Sequence, residues 1–211
     1  TIASGSRVAD LSELRTPDDE NEETNAWTIT IDGADASTTS AALNTIDDAT
    51  SEAVNATAVT SLTGTAASLT TLFTSVTNGT ITGIDGAETT ILADSAGTSA
   101  SQLHALKNRL DAAAAANSVT PSSINASSVT SFTGVTMDLL AVYSAGNSGQ
   151  ITGLGAEDIT VTGGTGKLSV HDANLLDSYT TGVITGTIIE NDSTTLATLT
   201  NTSTTGVIDA S

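Results

Sequence analysis

Few residues in this chain are equipped for chemistry, and they are scattered. Two histidines, His104 and His171, and 24 acidic side chains stand among 41 threonines and 25 serines. Proton transfer, attack by an activated hydroxyl and oxygen coordination of a hard cation are therefore the chemistries to weigh. A Ser-His-Asp arrangement can be drawn from many positions in so hydroxyl-rich a chain. However, no Gly-x-Ser-x-Gly elbow is present to hold the serine, and both histidines read as helix-surface residues. Gly163-Gly164-Thr165-Gly166-Lys167 is glycine-rich like a phosphate loop, yet Leu168 stands where a Walker motif needs Ser or Thr, which leaves a flexible turn. The expectation is a protein that is not an enzyme.

Carboxylates beside glycine turns suit Ca2+, which takes hard oxygen ligands from loops. Asp32-Gly33-Ala34-Asp35 and Asp85-Gly86-Ala87-Glu88 offer Asp32, Asp35, Asp85 and Glu88 as candidate ligands, with Asp47-Asp48 a further acidic pair. Neither the EF-hand spacing nor the Gly-Gly-x-Gly-x-Asp nonapeptide is complete. The same residues therefore also read as a solvated acidic surface, and Ca2+ is the one cofactor the pattern suggests.

A third candidate is a ladder. A β-branched aliphatic, then Thr, Asn or Asp, then Gly or Ala recurs seven times, at Ile31-Asp32-Gly33, Val54-Asn55-Ala56, Ile81-Thr82-Gly83, Ile124-Asn125-Ala126, Ile151-Thr152-Gly153, Ile184-Thr185-Gly186 and Ile208-Asp209-Ala210. If each is a strand stacked in register on the next at about 4.8 Å, then Asp32, Asn55, Thr82, Asn125, Thr152, Thr185 and Asp209 form one column. Such a column presents a flat face to a surface glycan or to ice, or its side chains satisfy one another and the adjoining turns.

The elements that must position these residues follow from the repeat. Successive tripeptides are 23, 27, 43, 27, 33 and 24 residues apart. Residues 54–80 align without gaps on 124–150 with nine identities in 27 positions, and Gly-Ala-Glu then follows at Gly86 to Glu88 and again at Gly155 to Glu157. A short unit and a longer one thus alternate with a 70-residue period. Within a unit the tripeptide predicts a short strand, and Ala58 to Leu62 or Asp158 to Thr162 a second extended stretch. Apolar residues at helical spacing then predict a helix: Leu69, Leu72, Phe73 and Val76, for example, or Leu103, Leu106 and Leu110. Leu43 with Ile46, Leu139 with Val142 and Tyr143, Leu175 with Leu176 and Tyr179, and Leu196 with Leu199 mark further short helices. Gly64 and Gly134 are expected at strand-to-helix turns, Thr65 and Thr136 as helix caps, and Gly79, Gly146 and Gly182 as helix terminators. The Gly or Ala closing each tripeptide is expected to let a helix pack close.

Parallel strands joined through helices need crossovers, which are right-handed in nearly all cases. The predicted fold class is accordingly α/β, a right-handed repeat solenoid of short parallel strands and short helices, with an all-β solenoid as the alternative. Residues 1–30 are read as an N-terminal capping or attachment segment, carrying Val8, Leu11 and Leu14 at helical spacing and an acidic run before Trp27. Residues 31–211 are read as about six units, the last incomplete, which suggests a piece of a longer chain or an end that stacks on another subunit.

Composition narrows the partners. With 5 Lys plus Arg against 24 Asp plus Glu the net charge is −19, which opposes nucleic acid, where affinity comes from cations displacing counterions, and disfavours an anionic membrane surface. No apolar run approaches the roughly 18 residues of a membrane span. Without cysteine there is no disulfide framework or thiolate site. Aromatics make up only 2% of the chain against 38% hydrophobic residues, so the core must be aliphatic and thin. Between Arg15 and Lys107 lie 91 residues without a trypsin-type cleavage site, a composition suited to persistence outside cells.

The segments VNATAVTSLTGTAASLTTLF (from Val54), INASSVTSFTGVTMDLLAVYSAG (from Ile124) and ITGLGAEDITVTG (from Ile151) resemble the Thr/Ala/Gly-rich tandem repeats of very long cell-surface proteins in marine cyanobacteria. They are also similar to segments in appendage proteins of the phages of those organisms. Arg7 to Leu14 followed by Thr16-Pro17 is similar to segments that precede β-rich modules in phage fibres. The resemblance covers about residues 31–211 and implies an extracellular or virion structural role with no catalytic residues, while the unfinished last unit and the capping segment are expected to meet end to end, giving self-association into a homo-oligomer or filament. The unequal units and the Ala112 to Ala116 run depart from a regular array.

Overall fold

The computed structural model describes residues 8–11, 25–162 and 167–200. It is a mixed α/β structure whose strands pair in parallel and alternate with helices. The all-β alternative does not hold among these residues. The chain divides into two compact units, residues 1–92 with 105–124, and residues 93–104 with 125–211.

The first unit holds α1 (Val8–Leu11), β1 (Ser37–Thr39), α2 (Ser40–Asp48), β2 (Val54–Asn55), β3 (Ser61–Gly64), α3 (Ala66–Asn78), β4 (Ile81–Thr82) and β5 (Thr89–Leu92). The division then passes through β6 (Thr98–Ser99), α4 (Ala100–Ala116) and β7 (Ile124–Asn125), with α4 contributing residues to both units. The second unit continues with β8 (Ser131–Gly134), α5 (Thr136–Asn147), β9 (Ile151–Thr152), β10 (Asp158–Val161), β11 (Lys167–Leu168), α6 (Val170–Asp177), β12 (Ile184–Thr185), β13 (Thr187–Ile188) and α7 (Ser193–Leu196).

In the first unit each strand lies beside its counterpart from the neighbouring repeat. Ser37 pairs with Ser61 and Ser61 with Thr89, while Val54 pairs with Ile81 in a second ladder. In the second unit β6, β8, β10 and β12 follow in order, and β11 pairs with β13. Alternation along each strand turns one face inward. Leu62, Phe132, Ile159, Val54, Ile81 and Ile124 are fully or almost fully buried. The helices close over them with Leu43 and Ile46, Leu69, Leu72 and Phe73, Leu103, Leu106 and Leu110, or Leu139 and Val142, all 0 or 1% exposed. Removing each such side chain from water contributes about 1.5–3 kcal/mol. The apolar helical spacings in the sequence are therefore the helix faces that carry the core. The exceptions are Val76, Leu175 and Tyr179, together with Leu196 at the end of α7 and Leu199 beyond it, which are only half-buried.

Several local assignments shift. The strand expected at Ala58 to Leu62 starts later, at Ser61, because residues 56–59 form a turn closed by the Val59 N–H on the Ala56 carbonyl. Thr65 caps α3 as expected, its hydroxyl accepting from the Ser68 N–H, but Thr136 is the first residue of α5 and Val135 occupies the cap without a side-chain bond. Gly79 ends α3 at φ 81°, whereas Gly146 lies inside α5 and the left-handed residue is Gly149. Gly64, Gly134 and Gly182 are packing glycines. A Cβ would come within 1.9 Å of Ser40 Oγ, 2.9 Å of the Ala100 Cβ and 2.2 Å of the Glu157 carbonyl oxygen respectively.

At two tripeptides the closing glycine approaches a turn rather than a helix, whereas Gly33 has open space around it and Gly186 faces the Leu168 and Val161 side chains. Gly83 has φ +85° and a Cβ there would lie 2.5 Å from the Thr57 amide nitrogen; Gly153, at φ +84°, meets Ser127 in the same way at 2.7 Å. Neighbouring repeats thus touch backbone to backbone. Gly83→Ala combines left-handed strain of about 1–2 kcal/mol with this clash, so it is expected to lower the melting temperature well beyond Gly79→Ala, whose Cβ would enter open space. Thermal unfolding of the two variants by circular dichroism measures the difference.

Candidate functional site

The structure breaks the predicted column into pieces. Asn55 and Thr82 are register partners, but the rung below them is Thr30, which bridges Asn55, and not Asp32. The shift is two residues, and because side chains alternate with period two it keeps Ile29 and Ile31 buried on the inner face. Asp32 instead caps the turn at Gly33–Asp35, its carboxylate accepting from the Ala34 N–H at 2.8 Å. Asn125 and Thr152 lie in the second unit, where the Ala126 N–H donates to the Thr152 carbonyl at 2.8 Å. Thr185 belongs to a different sheet, opposite Thr160. Asp209 lies outside the described residues.

Local hydrogen bonds claim the amides of the column. Asn55 Oδ1 accepts from the Thr57 N–H at 3.0 Å and from the Thr57 hydroxyl at 2.7 Å, and Asn125 Oδ1 from the Ser127 N–H at 3.0 Å. Both asparagines build Asx turns, which set the backbone that Gly83 and Gly153 abut.

A regular hydroxyl column does exist elsewhere. In the second unit Ser99, Thr133, Thr160 and Thr185 are successive register partners on the outward face of β6, β8, β10 and β12, each separated from the next by about 4.8 Å. The hydroxyls of Thr133, Thr160 and Thr185 have no hydrogen-bond partner among the described residues, and Thr160 and Thr185 are exposed. The first unit carries a shorter version, Thr39 and Thr63, which ends at Ile91. These threonines sit in strand stretches beyond the tripeptides. The signal that finds them is a Ser or Asp, an apolar residue and a Thr, as in Ser61-Leu62-Thr63, Ser131-Phe132-Thr133 and Asp158-Ile159-Thr160.

The four candidate Ca2+ ligands are each engaged by backbone. Asp35 accepts from the Val8 N–H at 2.8 Å and Asp85 from Ala87 at 2.9 Å, while Glu88, 8% exposed, accepts from both Asp85 and Gly86 at 2.9 Å. Glu88 is thus a buried carboxylate that organises its own loop. It borders a groove of about 370 Å3 lined also by Thr57, Val59, Thr60, Gly83, Asp85 and Ala87. Among the described residues no three His, Asp or Glu side chains converge as a metal site.

The second Gly-Ala-Glu copy does the same and more. Glu157, 2% exposed, accepts from the Gly155 N–H through both oxygens at 3.0 and 2.9 Å and from the Tyr143 hydroxyl at 3.1 Å. Tyr143 in turn stacks on Tyr179, centroids 5.6 Å apart at 14°, and meets Phe132 edge-on at 6.0 Å. Three of the chain's five aromatic residues therefore converge here. Beside them lies a cleft of about 260 Å3 lined by Tyr143, Gly146, Asn147, Ile151, Thr152, Gly153, Leu154 and Tyr179. Burial, and then the facing Glu157 carboxylate, push the Tyr143 phenol far above the ordinary tyrosine range.

His104 Nδ1 lies 3.3 Å from Asp138 Oδ1, yet among the described residues no serine hydroxyl bonds to the imidazole, and His171 is exposed. Gly163 to Gly166 of the glycine-rich turn lie outside the described residues.

The Tyr143 shift has a signed consequence. A folded-state pKa above the unfolded one means that the neutral phenol's contribution is complete below about pH 10 and declines as pH rises past it. Chemical denaturation at a series of pH values is expected to show the native chain losing stability above pH ~10 more steeply than Tyr143→Phe, which is itself less stable at neutral pH for want of the Glu157 bond. No known protein family, curated protein or solved structure matches this chain.

Proposed function

We propose that this chain is a non-enzymatic structural repeat protein, a right-handed α/β solenoid segment of an extracellular filament, cell-surface appendage or virion fibre that assembles by end-to-end subunit contacts. The observation that carries this reading is the recurrence of one set of contacts about 70 residues on: Gly83 against Thr57 as Gly153 against Ser127, 70 residues apart, and Glu88 in its loop as Glu157 in its own, 69 residues apart. A unit that stacks on its like through backbone approach and short parallel strands offers the same surface to a second copy, and head-to-tail contacts that do not close into a ring make filaments. The net charge of −19 keeps such a surface soluble. Sedimentation and electron microscopy of the purified chain are expected to show assemblies that grow with concentration; a strictly monomeric particle at high concentration overturns the reading.

A second reading, an adhesin-like binding module, is favoured by the hydroxyl column at Ser99, Thr133, Thr160 and Thr185. Its unpartnered threonines at one strand repeat suit an ordered hydroxyl surface such as ice or a crystalline glycan. Replacing Thr133 and Thr160 by Val keeps the β-branched shape and removes the hydroxyls. On this reading the double variant loses ice shaping or retention on insoluble polysaccharide while its melting temperature stays within a few degrees of the native one; equal retention by both removes the column from consideration.

A further inference from the structure

The cleft beside Tyr179 has the makings of a ligand site that neither subunit assembly nor the hydroxyl column uses. We propose that it binds one neutral sugar ring. The chain is poor in aromatics, yet two of its five line this cleft and a third, Phe132, backs Tyr143, so the stack is held from behind. Tyr143 is 3% exposed, wedged edge-on against Phe132 and tied through its hydroxyl to the buried Glu157 carboxylate. Tyr179, half-buried, rests on that fixed ring, and its own hydroxyl has no hydrogen-bond partner among the described residues. The wall is therefore preorganised, and little ordering cost falls on binding.

The lining chemistry selects the ligand. Tyr179 and Leu154, both half-buried, offer an apolar surface of the kind that the C–H faces of a pyranose cover. Asn147, exposed at the end of α5 with no side-chain hydrogen bond among the described residues, offers a carboxamide that donates and accepts in one plane. No charged side chain lines the cleft, and the surrounding charge of −19 repels uronic or sialic acids. At about 260 Å3 the volume falls just below the usual range for small-molecule sites, roughly 300–1,000 Å3, so it admits one ring.

The test titrates the full chain with the methyl glycosides of glucose, galactose, mannose and N-acetylglucosamine, following the tyrosine resonances by NMR, with glucuronate and choline as charged comparators. Saturable shifts of Tyr179 by at least one neutral glycoside at millimolar concentration are expected, with weaker or no response to glucuronate and choline. Asn147→Ala, at an exposed position that folding does not depend on, and Tyr179→Ala are each expected to weaken binding about tenfold, while Met137→Ala, 76% exposed and outside the cleft lining, leaves it unchanged. A disaccharide ending in the preferred ring that binds no more tightly than its methyl glycoside confirms a single-ring site, and a large gain from the second ring overturns that size limit. The proposal as a whole fails if no neutral glycoside gives saturable shifts, if choline alone does, or if binding survives both cleft variants.

Discussion

The structure depends on short parallel strands finding their counterparts in register. A strand such as β4 has two residues and cannot persist alone. It is held because Ile81 sits over Val54 in a buried column and because the Thr57 turn and Gly83 touch backbone to backbone at its exit. Every longer-range feature follows from this stacking. It sets the spacing of outward hydroxyls, it leaves room for only small residues at the contact, and it forces the intervening chain into helices that cross from one strand to the next. A core made of such layers is mostly aliphatic, with Phe73 and Phe132 its fully buried aromatics.

Buried carboxylates serve the same end. Glu88 and Glu157 are acidic groups in an already acidic chain, and their desolvation is offset by backbone N–H donors from the loops they organise. They hold the passage from the tripeptide strand to the next strand, at the point where the backbone turns through Gly86 or Gly155, both at positive φ. Charge here works as local architecture. In the second unit the carboxylate also reaches Tyr143, and a loop device becomes the support of an aromatic cleft.

Much of this was legible in the residues themselves. The apolar spacings in α3, α4 and α5 mark the buried faces because a helix must turn one stripe inward, and the tripeptides at Val54, Ile81, Ile124, Ile151 and Ile184 mark strands because β-branched residues beside turn residues favour extended backbone. Ile31-Asp32-Gly33 misled for a physical reason: with period-two alternation, a rung centred on Thr30 buries the same two isoleucines as one centred on Asp32, and the Asp32 carboxylate tips the balance by capping a turn. Thr185 was placed in the wrong column because its tripeptide matches the others while its partner is Thr160.

What the sequence determined by itself is the period, the alternation of strand and helix, the largely aliphatic core and the net charge of −19. These are local or compositional properties, set by neighbouring residues along the chain. Only the tertiary structure decided which threonines stand in one row, that Glu88 and Glu157 point inward, and that Phe132, Tyr143 and Tyr179 meet. The register between strands and the direction of a loop side chain depend on contacts between residues far apart in sequence, where a shift of one rung costs little locally and changes every partner.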